Sequence, residues 1–559
     1  MSQTVTEASV WEVISQLSPT QQAGYLEAFE VLYGAGEGSD AALPQDAEAV
    51  AERAACATDI ERFATQGFPD TCVLPFSALH RDFFADRRET MPLRGWREAW
   101  IAPRGYAKTS LVTYLDVLHA CCTRRELFMV ILSSRYRLAV DKVNEIRDTL
   151  TNNPWIRAVY GPQVGVRWNQ GDIITSRGVR VLAASRYSQI RGLIWRSIRP
   201  TWVVLDDIDN STLVATEVQR ERQWVWFQSD VLKLGQSGPW GTNITAVGTK
   251  LHEDSLIGRC QRNPGFRVHF YQAVQRFAHP QAVPLWQQWR LLVTNLDDPD
   301  RTTTARAFFD AQAAVMCQEA EVLWPEKESY YDLMVERVFD GEGAFYLDKQ
   351  NDPEASGTIT FNMARAGYLT IEPSGLRRHD GVFVPWTRLS QIVAYYDPAM
   401  GERKGKTPDW ACCVIVANDP QGYFYALDAY IAQYDRPDQQ LRSIADLLWH
   451  WQIDTCGLEV NGFQGLLADD LRQALARKAL TVQQDWGIGL VPVKNTKAKH
   501  VRIHAMEPLI SNHWLWFADT LHHEFTRQFT AFRPIPDAGK DDGPDATEAA
   551  IRMLRGQIL

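Results

Sequence analysis

Residues 102–109 read Ala-Pro-Arg-Gly-Tyr-Ala-Lys-Thr, a short run closed by a lysine and a hydroxyl residue. In the pattern glycine, four residues, glycine, lysine, threonine or serine, the lysine reaches the outer phosphates of a nucleotide and the hydroxyl holds Mg²⁺. Lys108 and Thr109 stand in frame, while Ala102 and Ala107 replace the two glycines and Arg104 enters the loop. The stretch Pro103, Arg104, Gly105, Tyr106, Ala107, Lys108, Thr109 and Ser110 is therefore expected to cradle phosphate. Apolar residues precede it and Leu111–Leu115 follow as a helix start, so a strand would feed a helix N-terminus, the arrangement that binds anions. Downstream, Val203-Val204-Leu205 ends in Asp206-Asp207. Asp206 would complete the Mg²⁺ shell and Asp207 would orient an attacking water, with Asp209 as its rival because aspartate is shorter than the usual glutamate. A third apolar run, Ile244–Val247, ends in Gly248-Thr249, which makes Thr249 the candidate sensor of the outer phosphate.

A second set of carboxylates lies beyond residue 390. Asp397 ends one apolar run, Glu459 ends another, and Asp545 sits in Asp-Asp-Gly-Pro-Asp-Ala just before a C-terminal helix. Three acids at the ends of separate elements can hold two divalent ions for phosphodiester hydrolysis. Hard oxygen ligands favour Mg²⁺ or Mn²⁺. Asp409 is a further candidate ligand, and Asp542 competes with Asp545 for the third place. The stretch 494–504 carries Lys494, Lys497, Lys499 and Arg502 without an acid, a charge pattern suited to a DNA backbone.

Elements must bring these residues together. Phe128–Leu132 and Trp202–Leu205 are continuous apolar runs of the buried-strand kind, and 139–150 has helical spacing. Strands alternating with helices predict a parallel sheet covered on both faces. Runs at 391–396, 411–417 and 423–427, then a helix from about 436 to 451, resemble the opening of a ribonuclease-H-like domain. The predicted organisation is a helical segment over 1–60, a P-loop ATPase core over 61–255, an ATPase subdomain and linker over 256–387, and the nuclease domain over 388–559.

Composition narrows the class. With 45% apolar and 23% charged residues in 559, the chain can bury large cores and is not a disordered or fibrous protein. A net charge of −10 argues against a general nucleic-acid coat but permits a local basic track. Nine cysteines, with adjacent pairs at 121–122 and 412–413 and no Cys-x-x-Cys, read as reduced thiols. No run approaches the roughly 20 apolar residues of a membrane span, and the N-terminus lacks a signal-peptide core. A cytoplasmic protein without membrane contact is expected.

The ordered series of motifs resembles the large terminase subunit of tailed double-stranded DNA bacteriophages over roughly residues 70–559. The matching pieces are Pro75-Phe76-Ser77-Ala78-Leu79-His80, Pro103-Arg104-Gly105 with Lys108-Thr109, Ile190-Arg191-Gly192, and Arg199-Pro200 before Asp206-Asp207. They continue with Val247-Gly248-Thr249 and His252, Leu323-Trp324-Pro325, Gln350-Asn351-Asp352-Pro353, Asp397, Glu459 with Gln464, and Asp545-Ala546. The resemblance implies an ATPase that drives double-stranded DNA into a procapsid, and a nuclease that cuts concatemers when packaging starts and ends. It implies that Arg104 stabilises transition-state charge in cis and that His80 and Phe76 lie near the adenine. ATP with Mg²⁺ at the first site and two Mg²⁺ or Mn²⁺ at the second are the implied cofactors. The implied partners are DNA, the portal protein, a small terminase subunit and further copies in a ring, a pentamer in the family. The implied location is the cytoplasm of the infected bacterium, transiently at the portal and not in the mature virion. Ala107 and Asp207 depart from the family pattern. A cellular P-loop helicase/nuclease of repair or defence is the alternative, and the lack of recognisable helicase motifs between 110 and 250 argues against it.

Overall fold

Continuous apolar runs become the central strands of two sheets, because strands covered on both faces need no polar alternation. The computed structural model describes residues 43–196, 198–235, 241–358, 361–398, 410–433, 436–459, 465–482, 487–493, 495, 499–533 and 540–557. The chain forms two compact units. One comprises Met1–Phe277, Ala320–Leu333 and Tyr346–Glu354, and the other Ala278–Glu319, Met334–Phe345 and Ala355–Leu559. Most of the helical segment expected over 1–60 lies outside the described residues.

In the first unit the strands are β1 (Arg97–Ile101), β2 (Phe128–Ser133), β3 (Val164–Asn169), β4 (Asp172–Thr175), β5 (Arg180–Ser185), β6 (Trp202–Asp206), β7 (Asn243–Gly248) and β8 (Arg267–Phe270). They pair in the order β3-β4-β5-β2-β6-β7-β1-β8. Pairing is parallel from β5 to β8, while β3 and β4 add an antiparallel edge. Register places Ile101 beside Gly248 and Asp206 beside Val247. The C-terminal ends of β1, β6 and β7 thus open at one edge, where open α/β sheets bind ligands. A short antiparallel pair, β9 (Val274–Arg276) with β10 (Glu321–Val322), ties the returning chain to this unit.

Helix α1 (Ala78–Thr90) starts at a capping box between Ser77 and His80. Helix α2 (Asp116–Thr123) follows a π-helical turn over Ser110–Leu115, itself directly behind the 102–109 loop. Such turns recur at functional sites. Helices α3 (Tyr136–Asn152), α4 (Leu256–Arg262) and α5 (Glu342–Asp348) complete the elements used below.

Behind the loop lies a buried ion network. Arg87 of α1 is fully buried; its guanidinium binds Glu98 of β1 and reaches Asp116 of α2 at 2.6 Å and Asp86 at 3.1 Å. Asp116 also accepts from Arg125 at 2.5 Å, and Glu98 from the Thr245 hydroxyl at 2.8 Å. One guanidinium thereby joins the strand entering the loop to the helix leaving it.

The second unit has a sheet ordered β13-β12-β11-β19-β16-β15-β14-β17-β18. Its strands are β11 (Gly367–Glu372), β12 (Gly375–Arg378), β13 (Phe383–Pro385), β14 (Gln391–Asp397), β15 (Ala411–Asn418), β16 (Phe424–Ala432), β17 (Thr455–Glu459), β18 (Gly489–Val493) and β19 (Leu515–Ala518). β11 to β13 fall inside the stretch expected as subdomain and linker, yet they extend this sheet. Short meander strands carry little periodicity, so only their pairing reveals them. Helices α6 (Pro437–His450), α7 (Gly465–Val482), α8 (Lys499–His504) and α9 (Asp542–Leu554) follow, and α9 packs on β14 and β15. All nine cysteines are free, and seven of them are buried. Among the described residues no helix is long and apolar enough to cross a membrane.

Candidate nucleotide site and candidate metal centre

The 102–109 loop joins β1 to a helix at the open edge of the first sheet. Gly105 and Ala107 both have positive φ, 82° and 57°. The second value explains why glycine is usual at that place, since a Cβ is strained there. The Lys108 ammonium points back toward the Pro103 carbonyl at 3.5 Å, and burial pushes its pKa down despite the nearby Asp207 and Asp206 carboxylates. The Thr109 hydroxyl donates to Asp206 at 2.9 Å. Burial, and then the charge of Asp207, push Asp206 up to about 6. A buried carboxylate paired with a loop hydroxyl is a fitting seat for a divalent cation.

Asp207 is exposed with φ 44° and has its N–H bonded to Val247. Asp209 instead caps α4, accepting from the N–H groups of Ile257 at 3.0 Å and Leu256 at 3.3 Å. Its carboxylate faces a helix N-terminus, which leaves Asp207 free at the strand tip. The Thr249 hydroxyl, buried, reaches the Ala102 carbonyl at 3.4 Å and so links the end of β7 to the start of the loop. His80 is buried against Trp324, with ring centres 4.7 Å apart, and its Nδ1 lies 2.7 Å from the Ser77 hydroxyl. Burial holds His80 down at about 4, so its ring is neutral at physiological pH. The Trp324 indole N–H donates to Pro75 at 2.8 Å, which brings the Leu-Trp-Pro segment onto the start of α1.

In the second unit, parallel pairing sets Tyr396 beside Leu458, so Asp397 and Glu459 end neighbouring strands. α9 supplies Asp545 one turn from its start. One carboxylate oxygen from each of Asp397, Glu459 and Asp545 lies within 4.8 Å of the others. Burial, then Glu459, raise Asp397 well above the carboxylate range. Burial also lifts Asp545 to about 6, although Lys499 and Arg502 pull it down. The Lys499 ammonium lies 2.8 Å from Asp541, 3.5 Å from Asp545 and 3.6 Å from Asp542. Three buried or half-buried carboxylates brought together, with an ammonium drawn in beside them, form a donor set suited to hard divalent cations. Arg502, buried, pairs with Asp545 at 2.8 Å and Glu548 at 2.5 Å. Asn495 bridges Glu459 at 3.3 Å and Arg552 at 2.6 Å.

Residues 394–554 match the family model described as the terminase RNaseH-like domain. The chain carries a terminase RNase H-like domain. No curated protein matches the chain. Among solved structures, it resembles the large terminase of bacteriophage HK97 at 12% identity over 86% of this chain and 95% of that one, with a TM-score of 0.30. The large terminase nuclease of thermophilic phage G20c is 13% identical over 34% of this chain and 97% of that one, at TM-score 0.21. A mutant of the large terminase subunit of bacteriophage Sf6, solved with calcium, is 10% identical over 30% and 90%, at TM-score 0.22.

Within the RNase H-like domain the converging acids are Asp397, Glu459 and Asp545. Asp542 is not one of this group; its carboxylate accepts from the Trp410 N–H at 3.4 Å as α9 begins. Arg502 differs from its expected role at the DNA backbone, because its charge is matched inside the domain by Asp545 and Glu548 rather than displayed. Lys499 likewise faces carboxylates. Asp409, Lys494, Lys497 and Gln464 lie outside the described residues. Three residues that touch the sites went unnoticed in the sequence: Asp348 and Lys327 at the loop, and Asn495 beside Glu459. The first two stand more than 200 positions from the loop and carry no spacing signal, whereas Asn495 sat within a segment marked only for its charge.

Proposed function

We propose that this protein is the large subunit of a phage terminase, which packages double-stranded DNA by ATP hydrolysis and cuts it with a metal-dependent nuclease. The observation that carries the reading is the convergence of Asp397, Glu459 and Asp545 inside a terminase RNase H-like domain. The three carboxylates would hold two Mg²⁺ or Mn²⁺, which when bound activate water and offset charge on the leaving 3′-oxygen. The chain's own part is to supply anionic oxygens at fixed spacing, with Lys499 and Arg502 balancing their charge. Asn495 would orient Glu459.

At the first site, Pro103 to Ser110 would wrap the phosphates of ATP, Lys108 would neutralise the outer ones, and Thr109 with Asp206 would hold Mg²⁺. Arg104 would stabilise charge in the transition state and Asp207 would orient the water. Thr249 would report the state of the outer phosphate through Ala102, and His80 with Trp324 would border the adenine. This reading is supported by the Thr109–Asp206 bond and the alignment of β1, β6 and β7 at one edge. The partners under this reading are DNA, the portal protein, a small terminase subunit and further copies in a ring. Its place is the host cytoplasm, then the portal.

The test separates the two sites. Lys108→Ala should abolish DNA-stimulated ATP hydrolysis and leave Mn²⁺-dependent cleavage, while Asp397→Asn should do the reverse. A variant that folds and loses both activities would overturn the division of labour.

A further inference from the structure

The 102–109 loop makes a contact that the nucleotide reading leaves unused. Asp348, the last residue of α5, holds Arg104 twice. The Arg104 main-chain N–H donates to the Asp348 carbonyl at 2.8 Å, and the guanidinium Nη1 lies 3.1 Å from the Asp348 carboxylate. The Arg104 side chain is nevertheless 66% exposed, while that of Asp348 is 26% exposed. Beside this pair, the Lys327 ammonium donates to the Gly105 carbonyl and sits 5.3 Å from the Tyr106 ring centre. Lys327 and Asp348 belong to the segments Ala320–Leu333 and Tyr346–Glu354, which return to the first unit. Both therefore act on the loop from within its own unit.

We propose that Asp348 is a positioning residue for Arg104, keeping its guanidinium at the mouth of the loop until nucleotide phosphate displaces the carboxylate. The inference rests on the nucleotide reading of this loop. A guanidinium–carboxylate contact whose arginine is largely exposed is weak and screened by salt. A polyphosphate offers more charge and several oxygens in the geometry that arginine binds in pairs. It would therefore win Arg104 from Asp348. The main-chain bond does not depend on the carboxylate, so the arginine backbone stays in place while its side chain exchanges partners. Asp348 thus keeps the arginine near the phosphates at the cost of competing with them.

The prediction concerns KM rather than the chemical step. Asp348→Asn keeps the carbonyl acceptor and the shape but removes the competing charge. It should lower the KM for ATP about two- to fivefold in DNA-stimulated hydrolysis at low salt, with kcat changed by less than about twofold. The difference should shrink as salt is raised. In an Arg104→Ala background the same substitution should leave the Kd for ATP, read by equilibrium binding, unchanged, because the competed group is gone. An unchanged KM in the single variant would overturn the inference, as would an equal shift in the Arg104→Ala background. A tenfold fall in kcat at constant KM would also overturn it, since Asp348 would then serve the productive pose. A wild-type chain that neither binds nor turns over ATP would overturn the nucleotide reading itself, a result distinct from all of these.

Discussion

Neutralising Asp545 should stabilise the metal-free RNase H-like domain at high pH and do nothing at low pH. This carboxyl ionises at about 6 rather than 3.8 because it is buried, even with Lys499 and Arg502 beside it. Ionising it in the folded chain therefore costs roughly 3 kcal/mol more than in the unfolded chain, at about 1.4 kcal/mol per pH decade. The sign follows from the raised value, which means that the folded chain binds this proton more tightly. Below about pH 4 both states hold the proton and there is no penalty. The penalty grows between about 4 and 6 and is full above that. Asp545→Asn resembles the protonated acid, so the variant should be up to about 3 kcal/mol more stable than wild type at pH 8 in EDTA, and equal to it near pH 4. Urea unfolding read by hydrogen exchange on peptides of α9 and β14 would measure this. Millimolar Mg²⁺ should restore the wild type at pH 8 and help the variant much less, since the carboxylate is then offset by bound cation. A variant less stable than wild type at pH 8 in EDTA would refute the reasoning, because the ion pairs to Lys499 and Arg502 would then outweigh burial.

Four other perturbations read other parts of the molecule. Arg87→Met leaves Asp86, Glu98 and Asp116 partly uncompensated in a buried site, so unfolding of the first unit should ease by about 3–5 kcal/mol in urea; a loss under about 1 kcal/mol would mean that the network relaxes freely. Ala107→Gly relieves a left-handed alanine with φ 57°; the relief of about 1–2 kcal/mol, less the glycine entropy cost of about 0.5–1 kcal/mol, predicts a small net gain in denaturant midpoint. Asp209→Ala removes the acceptor from two N–H groups of α4 and should cost about 1–2 kcal/mol of stability with ATP turnover kept. Asp207→Ala should instead cut kcat at least about a hundredfold, and steady-state kinetics showing the opposite assignment would make Asp209 the water-positioning group.

How legible the sites were depended on where each signal lay. Asp206, Thr249, Asp397 and Glu459 each end an apolar run, and a polar residue closing a buried strand marks its tip in any order of pairing. The loop lysine and hydroxyl were visible because phosphate chemistry demands them at adjacent positions. Residues joined only by long-range packing carried no such mark. Asp348 meets Arg104 across 244 positions, and Lys499 meets its carboxylates only because α8 lies beside α9. β11 to β13 were hidden for a related reason, since a short meander becomes a sheet only when a partner edge is present.

The sequence by itself determined which strands are buried, which residue types end them, and hence where a candidate phosphate loop and an acidic trio would lie. In the tertiary structure, neighbours of the same type meet different partners. Asp209 was drawn to a helix N-terminus and left Asp207 at the strand tip; Asp545 turned toward Asp397 and Glu459, while Asp542 met the Trp410 N–H. It also reassigned charge, setting Arg502 against Asp545 and Glu548 instead of solvent. The physical reason is common to all of these. A carboxylate or guanidinium takes its role from burial and from the groups within a few ångströms of it, and chain order alone does not fix those neighbours.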